Sequence, residues 1–238
     1  MKTSKIIKIN IILLLIFCCG LLTSCTPTNR LAIALGKLSF FSYTSETDIK
    51  ILTGGINTDS SNLQIKYYIK TKQNLKRSHT TLRGLLVSYS TYTEKKGKQI
   101  ITYLETKNGW ELESITEGNS LDSNNYGYVS FDDDLELDDL FTQDGDKWIG
   151  NNEVLSEEME NVFAQFVYNI LYPEAMVREV TVTKYIITLN KYNVKKIEIA
   201  VNVFLYNGST PFFVEMEMVS KYKDIGKTKV KRPDNLNK

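Results

Sequence analysis

The last third of the chain constrains the architecture most tightly. Three stretches, Val180–Leu189, Lys195–Tyr206 and Phe212–Tyr222, alternate apolar and polar residues with period two, the mark of strands with one wet face. In the middle stretch Ile197, Ile199, Val201, Val203 and Leu205 share a face. In the last, Phe212, Val214, Met216 and Met218 oppose Phe213, Glu215 and Glu217. The connections Asn190-Lys191-Tyr192-Asn193 and Asn207-Gly208-Ser209-Thr210 are short enough to require antiparallel neighbours, so these strands form a meander.

The same period recurs upstream. Between Asn62 and Lys72, Leu63, Ile65, Tyr67 and Ile69 alternate with Gln64, Lys66, Tyr68 and Lys70. The turn-rich Thr53–Asp59 predicts Tyr43–Leu52 as the preceding strand. Thr81–Thr93 and Gln99–Lys107 read as a hairpin, and Asn108-Gly109 turns the chain into a strand at Trp110–Thr116. A helix is expected over Leu31–Phe41, with Leu31, Leu35, Leu38 and Phe41 on one stripe. A second is expected from a Ser156 cap to a stop at Pro173, burying Met159, Val162, Phe163, Phe166, Ile170 and Leu171. Glu117–Gly127 reads as a loop, and the acidic Phe131–Gly150 receives no assignment. About eight or nine antiparallel strands are more than one flat layer holds comfortably, so the sheet is expected to curl. The expected class is α+β: a strongly curled antiparallel sheet, a half-barrel, with two or more helices packed on or inside it. Its concave side would hold either a packed core or a cavity.

The start of the chain speaks to address. Lys2, Lys5 and Lys8 precede the apolar run Ile9–Leu22, which ends in Thr23-Ser24-Cys25. A basic start, an apolar centre and small residues before a break form a secretory signal. Fourteen residues also fall short of the ~20 that span a bilayer. The Cys after Thr-Ser resembles the lipobox of bacterial lipoproteins, in which that Cys is diacylated. Cys18 and Cys19 lie inside the signal, so Cys25 alone would remain, without an intramolecular disulfide partner. Two acyl chains hold a membrane where one does so only marginally. The expected layout is a signal over 1–24, an acylated Cys25 with a short tether over 25–29, and one curled-sheet domain over 30–238. The expected location is extracytoplasmic, lipid-anchored to the cell membrane.

Formal charge is +1 for the whole chain, and losing the three signal lysines leaves −2. That gives no general attraction for nucleic acid, and no nucleic-acid partner is expected. Charge is unevenly placed: ten Lys or Arg against Glu94 and Glu105 over 61–110, then sixteen Asp or Glu against Lys147 over 111–160. A solvated strand face with an acidic connection explains this, as does a polar surface that binds a cation, a head group or a protein.

The order of elements is similar to the lipoprotein-carrier fold of the LolA, LppX and LprG group and to related firmicute lipoproteins. The resemblance rests on the early helix Leu31–Phe41, the Asn108-Gly109-Trp110 turn, the helix Ser156–Tyr172 and the terminal meander. That meander runs out through Tyr222-Lys223-Asp224-Ile225 and Lys231-Arg232-Pro233. It implies a half-barrel closing around helices and an apolar pocket; the acidic 131–150 segment has no counterpart in it. Fold likeness does not by itself convey function.

No catalytic signature occurs, and no enzyme activity or cofactor is expected. His79 is the sole His, placed in the expected polar turn Arg77-Ser78-His79-Thr80, and there is no Gly-x-Ser-x-Gly, Walker or dinucleotide motif. Zinc ligation of the Cys/His kind lacks its ligands. Asp132, Asp133, Asp134 and Glu136 form a weak calcium candidate, because calcium takes roughly six to eight oxygens and Leu135 and Leu137 break the run. The expected function is a membrane-anchored, non-enzymatic binding protein for a lipid or other hydrophobic ligand. Leu63, Ile65, Tyr67, Ile69, Val201, Val203, Leu205, Val214, Met216 and Met218 are its candidate cavity lining; a filled core would bury the same residues. The alternative is a surface module that docks a protein partner through its acidic segment, 131–146.

Overall fold

A computed structural model describes residues 27–55, 63–85, 87–118, 121, 136–170 and 175–236. The signal over 1–24, Cys25 and the acidic residues Asp132, Asp133 and Asp134 lie outside the described residues.

Helix α1 (Pro27–Phe40) leads directly into β1 (Tyr43–Gly55). There follow β2 (Leu63–Asn74), β3 (Arg77–Gly84), β4 (Ser88–Lys96), β5 (Gln99–Thr106) and β6 (Gly109–Glu117). A single helical turn α2 (Leu137–Leu140) precedes the hairpin β7 (Phe141–Asp144) and β8 (Lys147–Gly150). Helix α3 (Asn152–Ile170) precedes β9 (Met176–Asn190), β10 (Asn193–Asn207) and β11 (Thr210–Lys223).

All eleven described strands join one sheet in the order β6-β5-β4-β3-β2-β1-β11-β10-β9-β8-β7, with each neighbouring pair antiparallel. The chain starts at the centre, walks out to β6, reappears at the opposite edge as β7, and walks back to pair β11 with β1. Two meanders thus share one central seam.

The sheet corrects the expected class. It is open and not strongly curled, and among the described residues strand far outweighs helix. The half-barrel expectation rested on strand number, about eight or nine strands being more than one flat layer was expected to hold. Here cover comes from α1 and α3, which lie against β10 and β9 rather than inside a closed curve. The outer face has cover of its own from the segment after β11.

Local corrections have plain causes. The expected strand Thr81–Thr93 is two strands, β3 and β4, and Arg77–Thr80 is the start of β3, not a turn. Helix α3 begins four residues before Ser156, and Val162 on its expected stripe is 45% exposed. Met159, Phe163 and Phe166 are buried as expected, and Leu155 and Val167 complete the buried side in place of Val162. In α1, Ala34 joins Leu31, Leu35 and Leu38, while Phe41 is exposed. The unassigned acidic stretch contains β7 and β8, turned by Gly145 at φ 61°, a left-handed conformation that suits glycine. Phe141 and Trp148 put that hairpin into the core.

Candidate ligand-binding face

Register places the inner-face side chains in rows that cross the sheet. One row is Val182–Val201–Met216–Ile51–Ile65; the next is Tyr185–Ile199–Met218–Ile49–Tyr67. A third, Ile187–Ile197–Ser220–Thr47–Ile69, begins to turn polar. Beyond it, Ser45–Thr71–Thr80–Thr91 carry hydroxyls across four strands. The face therefore runs from apolar to hydroxylic along the strands. Thr47 and Ser220 share a hydrogen bond of 2.8 Å, Thr71 and Thr80 one of 3.1 Å, and the Tyr43 hydroxyl donates to Gln73 Oε1 at 3.2 Å.

Nine of the ten residues expected to line a cavity, Ile65, Tyr67, Ile69, Val201, Val203, Leu205, Val214, Met216 and Met218, fall on this face, each at most 4% exposed. The side chain of Leu63 lies outside the described set. Period-two reading missed Ile49 and Ile51, which bridge the two candidate groups across the seam, and Tyr185 and Trp148 at the far flank. For the last two the signal was present: each stands on its strand's inward-facing register.

Two buried donors on this face have no hydrogen-bond partner among the described residues: the Tyr67 hydroxyl and the Trp148 Nε1–H. Burial pushes the Tyr67 phenol's pKa up, so it stays protonated and able to donate. Its ring lies over Gly84, its neighbour on β3, where a Cβ would sit 2.1 Å from the ring. Glycine at that position is what lets the ring lie down.

Helix α3 is seated through a bulge. The β9–β10 register slips between Ala200 and Val201, leaving Thr183 as the extra residue. Ser156 Oγ accepts the Val182 N–H at 2.8 Å and donates to Asn152 O at 2.6 Å, while Asn152 Nδ2 donates to Thr183 O at 3.0 Å. The first turn of α3 thus satisfies what the bulge frees.

The outer face is different in kind. Glu46 lies between Lys223 at 2.8 Å and Lys70 at 2.9 Å, and these hold its carboxyl down at about 2, Lys223 first. Glu198 sits between Lys196 and Lys184, which lower its pKa in that order against the opposing effect of burial. Part of the basic run in 61–110 is therefore neutralised within the sheet. Across β4–β6 the segment after β11 forms a strap. Thr228 bonds Thr44 at 3.1 Å, Arg232 approaches Glu94 at 3.5 Å, and Leu236 bridges Trp110 in parallel. Val230 and Leu236 bury Tyr92, Tyr103 and Trp110 beneath it. Burial alone would raise the Glu94 carboxyl's pKa, but Lys96, Arg232 and the Tyr92 hydroxyl outweigh it and hold the value low. Burial, then Glu94, pushes Tyr92 up to about 12.

The remaining sequence candidates separate. His79 lies in β3, edge-on to Trp110 at 5.6 Å, and burial lowers its pKa. Glu136 is exposed and precedes α2 without a side-chain capping bond. Asp146 pairs with Arg30 of α1 at 2.7 Å. Among the described residues no group of three or more His, Cys, Asp or Glu could hold a metal ion, and no helix is long and apolar enough to cross a membrane.

No protein-family model matches the chain, and no curated protein matches it. Among solved structures it is similar to a LolA superfamily protein from Nitrosomonas europaea, at 11% identity. That likeness covers 86% of this chain and 95% of the other, with a TM-score of 0.25. So loose an overlay carries no conclusion about fold or ligand.

Proposed function

We propose that the protein is a membrane-anchored, extracytoplasmic binding protein for a lipid or other hydrophobic ligand, and that it performs no catalysis. The observation that carries this reading is the inner face itself. Its rows are aliphatic at one end and hydroxylic at the other, matching an amphiphile, and it buries two donors that nothing described satisfies. Leaving a buried donor unpaired costs about 1–3 kcal/mol, a poor bargain for a face whose purpose is packing alone. The signal over 1–24 and Cys25 support an extracytoplasmic, acylated location.

Native mass spectrometry of the protein released from membranes, followed by lipid extraction, tests the reading. The expected result is a non-covalent lipid present in near-stoichiometric amount, in addition to the chains on Cys25. Recovery of protein free of any non-covalent amphiphile, from cells and after incubation with lipid vesicles, would overturn it.

A further inference from the structure

Helix α1 is apolar on two sides, and only one of them is covered. Leu31, Ala34, Leu35 and Leu38 are buried, while Ile33 and Phe40 on the opposite stripe are 45% and 71% exposed. Lys37 stands between those two, and the helix contains no acidic residue. An exposed helix face ordinarily carries mixed charge. The neighbouring chain extends the patch. Phe41 and Leu75, both exposed, lie two residues beyond the paired Tyr43 and Gln73, at the end of the sheet where β1 begins. The β9–β10 turn reaches the same end, and its Tyr192 ring lies under Lys37 Nζ at 5.8 Å. Arg30 Nε donates to Lys191 O at 2.7 Å and Lys37 Nζ to Asn193 Oδ1 at 3.2 Å, which fixes α1 across that turn.

We infer that this end of the sheet is a membrane-docking face whose partner is the surface of an anionic bilayer. Ile33, Phe40, Phe41 and Leu75 enter the interfacial layer, and Lys37, Lys76 and Lys191 meet the lipid phosphates. The inference goes beyond the ligand reading and rests on the lipid-anchored address proposed with it. Reach favours a bilayer over a protein. Cys25 stands two residues before Pro27, where α1 begins, so acyl chains on it hold the start of α1 within about 7 Å of chain from the membrane. Charge favours it too. Among the described residues Lys37, Lys76 and Lys191 form no ion pair. Of the acids at this end, Asp146 is taken up by Arg30, and the three lysines outnumber Asp144 and Asp224. An apolar stripe interleaved with lysine and flanked by aromatic rings is what lies flat in a membrane interface, and unpaired lysines there are drawn to anionic head groups.

The test places a nitrobenzoxadiazole fluorophore on Phe40→Cys or, as a control, on Leu85→Cys, which is exposed at the opposite end of the sheet. Each lipidated protein would be reconstituted into vesicles of phosphatidylcholine with and without phosphatidylglycerol. In the anionic vesicles the label at position 40 is expected to shift its emission to the blue. It should also become several-fold less accessible to aqueous iodide than the label at position 85. Lys76→Glu combined with Lys191→Glu, two exposed changes, should reverse most of that protection with the circular dichroism spectrum preserved. Equal iodide access at the two positions would overturn the docking face while leaving the anchor intact. Shielding at position 40 that ignores lipid charge and rises with the protein-to-lipid ratio would assign the face to a second copy of the chain instead. Label taken up by the protein without either substitution would reveal a free Cys25 and overturn the anchored address, and this inference with it.

Discussion

Ser156 of α3 accepts the backbone N–H of Val182 in β9 at 2.8 Å, and so ties the long helix to the sheet beside the middle of the three irregularities in the β9–β10 ladder. Replacing Ser156 with Ala leaves that N–H partly buried and unbonded. The expected loss is about 1–2 kcal/mol in urea denaturation. Thr, which keeps the oxygen, should lose less.

Gly84→Ala puts a methyl where the Tyr67 ring lies, and the cross-strand pair cannot keep its geometry. A destabilisation of about 1–3 kcal/mol is expected. Combining it with Tyr67→Ala should cost less than the sum of the two single changes, because the clash is absent once the ring is gone. Additive losses in that double-mutant cycle would show that the ring and the glycine do not share the space.

Acid stability should depend on Glu46. Its carboxyl titrates at about 2 in the folded state against 4.5 for the ordinary group, so the unfolded chain binds more protons between those values. The contribution is present above 4.5 and is lost as pH falls toward about 2. Glu46→Gln should flatten this part of the stability–pH curve in thermal scans. An acid limb of unchanged steepness would remove Glu46 as its source.

The strap is open to a direct test at Leu236. Leu236→Ser withdraws the cover from Trp110 and loosens the parallel bridge. Trp110 emission should shift to the red and become accessible to iodide, measured with Trp148 replaced by Phe, while α3 remains folded by circular dichroism.

On the lipoprotein reading proposed above, Cys25→Ser removes the acceptor for acylation and leaves every strand residue unchanged. Palmitate label should disappear from the protein and detergent partition should fail to retain it as a lipoprotein. Equal labelling of both proteins would exclude Cys25 as the anchor.

Period-two patterning located nine of the inner-face residues because a strand's side-chain alternation is intrinsic to its backbone, and β10 and β11 are long enough for it to be plain. It failed at β3–β4 because Leu85-Leu86-Val87 prolongs an apolar run through the connection between the strands. It failed at β7–β8 because four-residue strands offer barely two alternations, with charges between them. The Ser156 reading gave a capping residue type its commonest role, whereas here the bulge in β9, invisible in the sequence of α3, claims that hydroxyl. Curl was the least legible property. It depends on what else covers the apolar face, and α1, α3 and the strap divide that work between both sides of the sheet.

The seam between β1 and β11 has a consequence for biogenesis. The first strand to emerge during synthesis waits for the last before the centre of the sheet can close, so the pairing is about as non-local as the chain permits. Until Thr210–Lys223 has been made, β1 has β2 on one side and an open edge on the other. Early meander pairing can begin, but the full-width sheet cannot lock behind a half-finished polypeptide. On the extracytoplasmic address proposed above, the protein gains from this delay, because translocation machinery must thread it while it is still extended.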